Sequence, residues 1–334
     1  MIYLGVHAFL AFNNTMGKAI KIIKNRSDIG AGTRGSDMGV DAIEIAAINQ
    51  RNDYFNQFEH EDLETENESI YNKVNNSFAK RIKSVFDQCT RLSDAVQRNL
   101  EDEKFPLVLS GDHSSALGTI SGVKAAHPDK RVGVVWIDAH ADIHSPYTSP
   151  SGNIHGMPLA AALSEDNMAC KINDVPEETE KYWTGMKNIG CSGAKVLASD
   201  VVYFGVRDTE EPEDKQIEEL GIKNYMVHEV RYRGLEVCVK EALESLEECD
   251  MIYISFDVDS MDCDMISYGT GTPVPKGFDQ YEIIEIFNQL IASKKIASIE
   301  FVEVNPLLDF KGNKMAETAF EVLDAVTETL KKSL

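Results

Sequence analysis

The sequence predicts an α/β protein in which a mostly parallel sheet is covered by helices on both faces. Three observations carry the expectation. Short apolar runs alternate with amphipathic stretches along the chain. Those runs are apolar almost continuously rather than at every second position, as strands buried on both faces are. Three of them also end in the same kind of polar sequence. Taken in order, residues 19–23 (AIKII), 106–109 (PLVL), 132–137 (VGVVWI), 201–206 (VVYFGV), 251–255 (MIYIS) and 296–302 (IASIEFV) read as strands. Between the first two, Phe78, Ile82, Val85, Phe86, Cys89, Leu92 and Val96 recur at three- and four-residue intervals and predict a helix with one apolar face. Ala319, Phe320, Leu323, Val326 and Leu330 predict another at the end of the chain. A length of 334 residues admits one large domain or two small ones, and also an eight-fold barrel. Periodicity does not choose among these.

Composition excludes some functions. There are 33 Lys and Arg against 55 Asp and Glu, a formal net charge of −22. Nucleic acid and anionic membrane are therefore not expected partners, since both require a basic face. No run approaches the roughly 18 apolar residues of a membrane span. The opening MIYLGVHAFLAF lacks a basic flank, so no signal peptide is expected and the reading is of a cytoplasmic protein. The six cysteines are scattered without a CxxC pair and read as reduced thiols. Residues 59–68 (EHEDLETENE) carry six acids and read as solvated surface.

The chemistry sits where strands end. PLVL is followed by Ser110-Gly111-Asp112-His113, VGVVWI by Asp138-Ala139-His140-Ala141-Asp142, and MIYIS by Phe256-Asp257-Val258-Asp259. Open α/β sheets build their sites at the carboxyl ends of parallel strands. In extended chain, residues i, i+2 and i+4 share a side, so Asp138, His140 and Asp142 can converge, and so can Asp257 and Asp259. Four carboxylates and two imidazoles at one place demand compensating cations, and two divalent metals would balance them. Oxygen-dominated ligation with some imidazole and no thiolate suits Mn²⁺; iron, cobalt and nickel stay open. A two-metal centre activates water at neutral pH, which implies hydrolysis.

The motifs GDHSSALGTISG (residues 111–122), DAHADIHSPYTSPSGNIHGMP (138–158), SFDVDSMD (255–262), GTGTP (269–273) and EFVEVNP (300–306), with GAGTRGSDMGVDAIEIA (30–46) upstream, resemble the ureohydrolase family and arginases in particular. The resemblance covers residues 18–330. It implies a three-layer αβα sandwich around a mostly parallel eight-stranded sheet in one domain over residues 18–334. Residues 1–17 are left as an extension without an assigned role. It also implies two Mn²⁺ per subunit, one held by His113, Asp138, Asp142 and Asp257 and the other by Asp138, His140, Asp257 and Asp259. His155 stands at the family's proton-shuttling histidine and Glu303 at the acid that clamps the substrate guanidinium. Thr272 matches a threonine of the metal pocket.

The implied reaction is hydrolysis of L-arginine to L-ornithine and urea by a hydroxide bridging the metals. Ser151 and Asn153, within residues 149–155 (SPSGNIH), match the residues that hold the α-carboxylate, and Glu210 and Glu213 those that hold the α-amino group. Agmatinase, guanidinobutyrase or formiminoglutamase activity is the alternative, since such relatives share the metal ligands; a non-catalytic binding protein on the same fold is a further one. Two departures touch the rim. His144 stands where many arginases have asparagine, and Glu210 where they usually have aspartate, so weaker arginine affinity or altered pH dependence is expected. SMDCDMISYGTGTP also carries one extra residue before GTGTP. The resemblance further implies a homotrimer or homohexamer. Residues 167–199 are poorly patterned and read as a surface excursion near the site.

Overall fold

The computed structural model describes residues 18–74 and 77–334, so the extension at 1–17 lies outside the described residues. Eight strands form one sheet: β1 (Ile20–Asn25), β2 (Glu59–Asp62), β3 (Phe105–Ser110), β4 (Val132–Ile137), β5 (Val201–Phe204), β6 (Lys223–Tyr225), β7 (Met251–Asp257) and β8 (Ile296–Val302). Their spatial order is β2-β1-β3-β8-β7-β4-β5-β6. Every strand pair among the described residues is parallel, so the sheet is wholly rather than mostly parallel.

An open sheet of this order replaces the barrel alternative. Side chains alternate along each strand and feed two separate cores. Ile22, Leu107, Leu109, Val135, Ile137, Phe204, Ile254 and Phe301 enter one, packed with helices α1 (Gly39–Asn49), α6 (Leu235–Ser245), α7 (Gln280–Ile291) and α8 (Lys314–Ser333). Ile23, Val108, Val134, Trp136, Tyr203 and Tyr253 enter the other, with α2 (Ile82–Glu101), α3 (Ala116–Ala126), α4 (Pro158–Leu163) and α5 (Glu177–Met186). These are the three layers, and they explain why the central strands are apolar almost continuously.

Four local readings change. The long amphipathic helix α2 begins at Ile82, and Phe78 lies in the turn before it. Its predecessor Arg81 has a left-handed backbone (φ 57°), which ends any continuous helix there. Strands β2 and β6 had no apolar signature, being short and at the two sheet edges. The acidic run is exposed as expected, yet its first four residues pair in register with β1. Within 167–199, α5 buries Trp183 and Met186 against the second core. The same segment braces the site loop: Asn173 donates its Nδ2 to the carbonyls of Pro146 (3.0 Å) and Ser149 (2.7 Å).

Candidate metal centre and cleft

Strands β3, β4, β7 and β8 are the four central strands, and their carboxyl ends carry the site. His113 follows β3 in a short 3-10 turn that Asp112 caps by accepting the Ser114 N–H at 2.8 Å. Asp257 caps the turn after β7 in the same way, accepting the Asp259 N–H at 2.8 Å. After β4, Asp138 Oδ1 accepts the His140 N–H at 2.7 Å. Asp138 and Asp257 thus each spend one oxygen on their own turn and turn the other to the site, whereas the second oxygen of Asp112 accepts the Gly30 N–H at 2.9 Å.

The remaining donor atoms converge. His113 Nδ1 lies 2.9 Å from Asp138 Oδ2, 3.0 Å from Asp142 Oδ2 and 3.2 Å from Asp257 Oδ2. On the other side of Asp138, His140 Nδ1 is 3.0 Å from Asp259 Oδ2 and 3.5 Å from Asp138 Oδ1. Two donor groups result, His113–Asp138–Asp257 and Asp138–His140–Asp259, with Asp138 in both. Asp142 adjoins the first through its contact with His113. Asp257, expected to bridge, falls in the first group only.

These donors fit divalent cations. His113 Nδ1 and Asp138 Oδ2 are buried and without a hydrogen-bond partner, a costly condition unless something else binds them. Oxygens about 2.1 Å from a common octahedral ion sit roughly 3 Å from one another, the spacing seen here. Charge leads to the same place. Burial first, then repulsion from Asp259 and Asp138, pushes the Asp257 carboxyl well above the carboxylate range. Burial and Asp138 push Asp142 up to about 7. Such crowding is what cations would relieve.

Above the donors is a cleft of about 310 Å³. His155 and Glu303 meet beside it, His155 Nδ1 lying 3.0 Å from Glu303 Oε1. The same oxygen accepts the His113 N–H at 2.9 Å, tying the pair to the metal donors. Burial works to lower the His155 imidazole, but the Glu303 carboxylate outweighs it and raises it to about 9. Glu303 and Asp142 both have left-handed backbones (φ 67° and 50°), a strain non-glycine residues adopt where surrounding structure holds them.

At the rim, Ser151, Asn153, Glu210, Glu213 and Thr272 all line the cleft. Thr272 donates its hydroxyl to Asp259 Oδ2 at 2.9 Å. Ser151 Oγ accepts the Asn153 N–H at 3.2 Å and lies 3.5 Å from Ser149 Oγ. Glu213 is occupied by structure, accepting the N–H of Glu210 (3.1 Å) and of Ile143 (3.4 Å). Buried His144 contacts Glu210 Oε2 through Nε2 at 2.7 Å and Thr148 through Nδ1 at 3.0 Å.

Residues 18–327 match the family model described as the arginase family. The chain belongs to the arginase family. It is 37% identical to an arginase of Bacillus subtilis, over 93% of this chain and 98% of that one. Among solved structures, native Bacillus caldovelox arginase superposes with a TM-score of 0.77 at 37% identity, covering 94% of this chain and 98% of that chain. Entamoeba histolytica arginase in complex with L-ornithine gives 0.76 at 26% identity, over 94% and 99%.

Several residues of this arginase-family site escaped the sequence reading. Ser255 Oγ is 2.6 Å from His113 Nε2, and Trp136 stacks on the same ring at 4.2 Å, so His113 is fixed from two sides. Ser255 immediately precedes Phe256-Asp257, a signal available in the sequence. Asp208, exposed at the rim, comes within 3.5 Å of His140 Nε2. Lys80 reaches Asn153 from 73 residues away, and no local pattern announces it.

Proposed function

We propose that the chain hydrolyses L-arginine to L-ornithine and urea with two Mn²⁺ bound per subunit. The observation that carries this reading is the shared buried acid: Asp138 stands in both donor groups, directly beneath a cleft flanked by His155 and Glu303. His113, Asp138, Asp142 and Asp257 would hold one ion; Asp138, His140 and Asp259, with Asp257 adjacent, would hold the other. When bound, the ions supply Lewis acidity and water activated at neutral pH.

The chain's own residues do the rest. Glu303 commits Oε1 to His113 and His155, leaving Oε2 to accept charge-assisted hydrogen bonds from the guanidinium. His155, protonated through its contact with Glu303, delivers its proton to the departing δ-amine of ornithine. Ser151 and Asn153 face the α-carboxylate, and Glu210 and Glu213 the α-amino group. Thr272 orients Asp259. A cytoplasmic location and assembly as a homotrimer or homohexamer belong to the same reading.

One observation favours a second ureohydrolase substrate. His144 engages Glu210, the acid that would otherwise be free for an α-amino group. Urea release by Mn²⁺-reconstituted protein on arginine, agmatine and guanidinobutyrate, and formamide release on formiminoglutamate, with metal-free protein as control, decides. Arginine turnover far above the others is expected; arginine turning over no faster than agmatine overturns the reading.

A further inference from the structure

The cleft wall is hostile to a carboxylate. Beyond the metal donors Asp142 and Asp257, the acids Asp208, Glu210 and Glu213 line its rim, and no Lys or Arg does among the described residues. An α-amino acid entering with its guanidino end toward Glu303 brings its own carboxylate among these acids. Hydrogen bonds from Ser151 and Asn153 are neutral and would leave that repulsion uncompensated.

Just behind the wall stands Lys80. Its Nζ donates to Asn153 Oδ1 at 3.0 Å, and among the described residues it has no carboxylate partner. Lysine carries donors only, so the contact fixes which end of the Asn153 amide faces it. The opposite end, Nδ2, is then turned away from Lys80. It lies against Gly32, where an added Cβ would stand 2.5 Å from it, and it has no acceptor among the described residues. Asn153 itself lines the cleft. The arrangement is a donor amide held in one orientation, with nothing to donate to and a positive charge at its back.

The backbone makes the placement firm. Lys80 donates its N–H to the Gly152 carbonyl at 2.7 Å. The neighbouring Arg81 donates Nη1 to the Ile29 carbonyl at 3.1 Å, in the loop after β1 that contains Gly32. Residues 77–81 are thereby tied to both loops that enclose Asn153.

We propose that Lys80 is the positioning residue for α-carboxylate recognition: it orients the Asn153 amide as a donor and supplies the positive charge that offsets the acidic wall. The inference rests on the proposed arginine substrate and names the group that selects arginine over its decarboxylated analogue. Lys80 does not touch the reacting atoms, so its effect falls on binding of one kind of ligand.

The test compares Lys80→Met and Lys80→Arg with the wild type, all Mn²⁺-loaded, using arginine as substrate and agmatine and ornithine as competing ligands. In Lys80→Met, KM for arginine and the inhibition constant of ornithine rise about tenfold, as loss of one charge-supported contact gives. Turnover at saturation stays within about twofold, and agmatine inhibition is unchanged. Lys80→Arg restores most of the arginine affinity. Equal weakening of agmatine and arginine, a loss confined to kcat, or no change in either ligand overturns the inference while leaving arginine hydrolysis intact. A wild type that prefers agmatine instead overturns the substrate reading itself.

Discussion

His155 and Glu303 are 148 residues apart in sequence and 3.0 Å apart at Nδ1 and Oε1. The contact gives this imidazole its proton affinity. Its folded value of about 9 exceeds the ordinary histidine value of about 6.5, so the protonated form is favoured by folding. The stability it contributes is fully present below about pH 6.5 and is lost as pH rises through about 9. In metal-free protein this amounts to roughly 3 kcal/mol. Glu303→Gln should remove that part of the pH dependence in chemical denaturation and bring the His155 NMR titration down to or below its ordinary range. A titration unmoved by the substitution would show that Glu303 does not set it.

Mn²⁺ should raise the melting temperature of the wild type, since a ligand at a hundredfold excess over Kd stabilises by about 2.7 kcal/mol. Asp138→Asn, at the one acid common to both donor groups, should abolish that rise together with urea release. Scanning calorimetry with and without Mn²⁺ reads both proteins, and an undiminished shift in the variant contradicts the shared-donor geometry.

His144→Asn should tighten arginine binding. Asparagine is too short to hold the 2.7 Å contact with Glu210, and freeing that carboxylate returns about 1 kcal/mol, roughly a fivefold drop in KM. An unchanged KM and pH profile would mean that the His144–Glu210 contact does not compete with substrate.

Gly152→Ala should destabilise the fold by roughly 2–4 kcal/mol. Gly152 has φ +70°, and a Cβ there would stand 1.9 Å from the Ser77 carbonyl oxygen. Because Lys80 bonds the same glycine's carbonyl, arginine KM should rise alongside the loss of denaturation midpoint. A variant as stable as the wild type would refute the close approach.

Six strands were legible because burial on both faces demands unbroken apolar runs, as in VGVVWI. Strands β2 (EHED) and β6 (KNY) were not, because an edge strand is held by backbone pairing and leaves its side chains to water. The donor residues were legible for a related reason: a short turn after a buried strand has few places to put an acid or imidazole. His113, Asp138, His140, Asp142, Asp257 and Asp259 therefore announce themselves locally. The contacts of Lys80 with Asn153 and of His144 with Glu210 arise only when distant loops pack together. Sequence spacing holds no trace of either.

The acidic edge strand has a bearing on solubility. Glu59 pairs with Lys104 at 2.5 Å, Glu61 with Lys21 and Arg98, and Asp62 with Arg26, so its charges are stitched to the body of the sheet. Among the described residues the outer side of that strand has no partner strand, the usual template for runaway strand addition. A second copy presenting the same EHED would bring like charge against like. At the opposite edge β6 spans only three residues, too short a template to extend. Among the described residues, the eight-stranded parallel sheet thus ends in two borders ill suited to templating another copy.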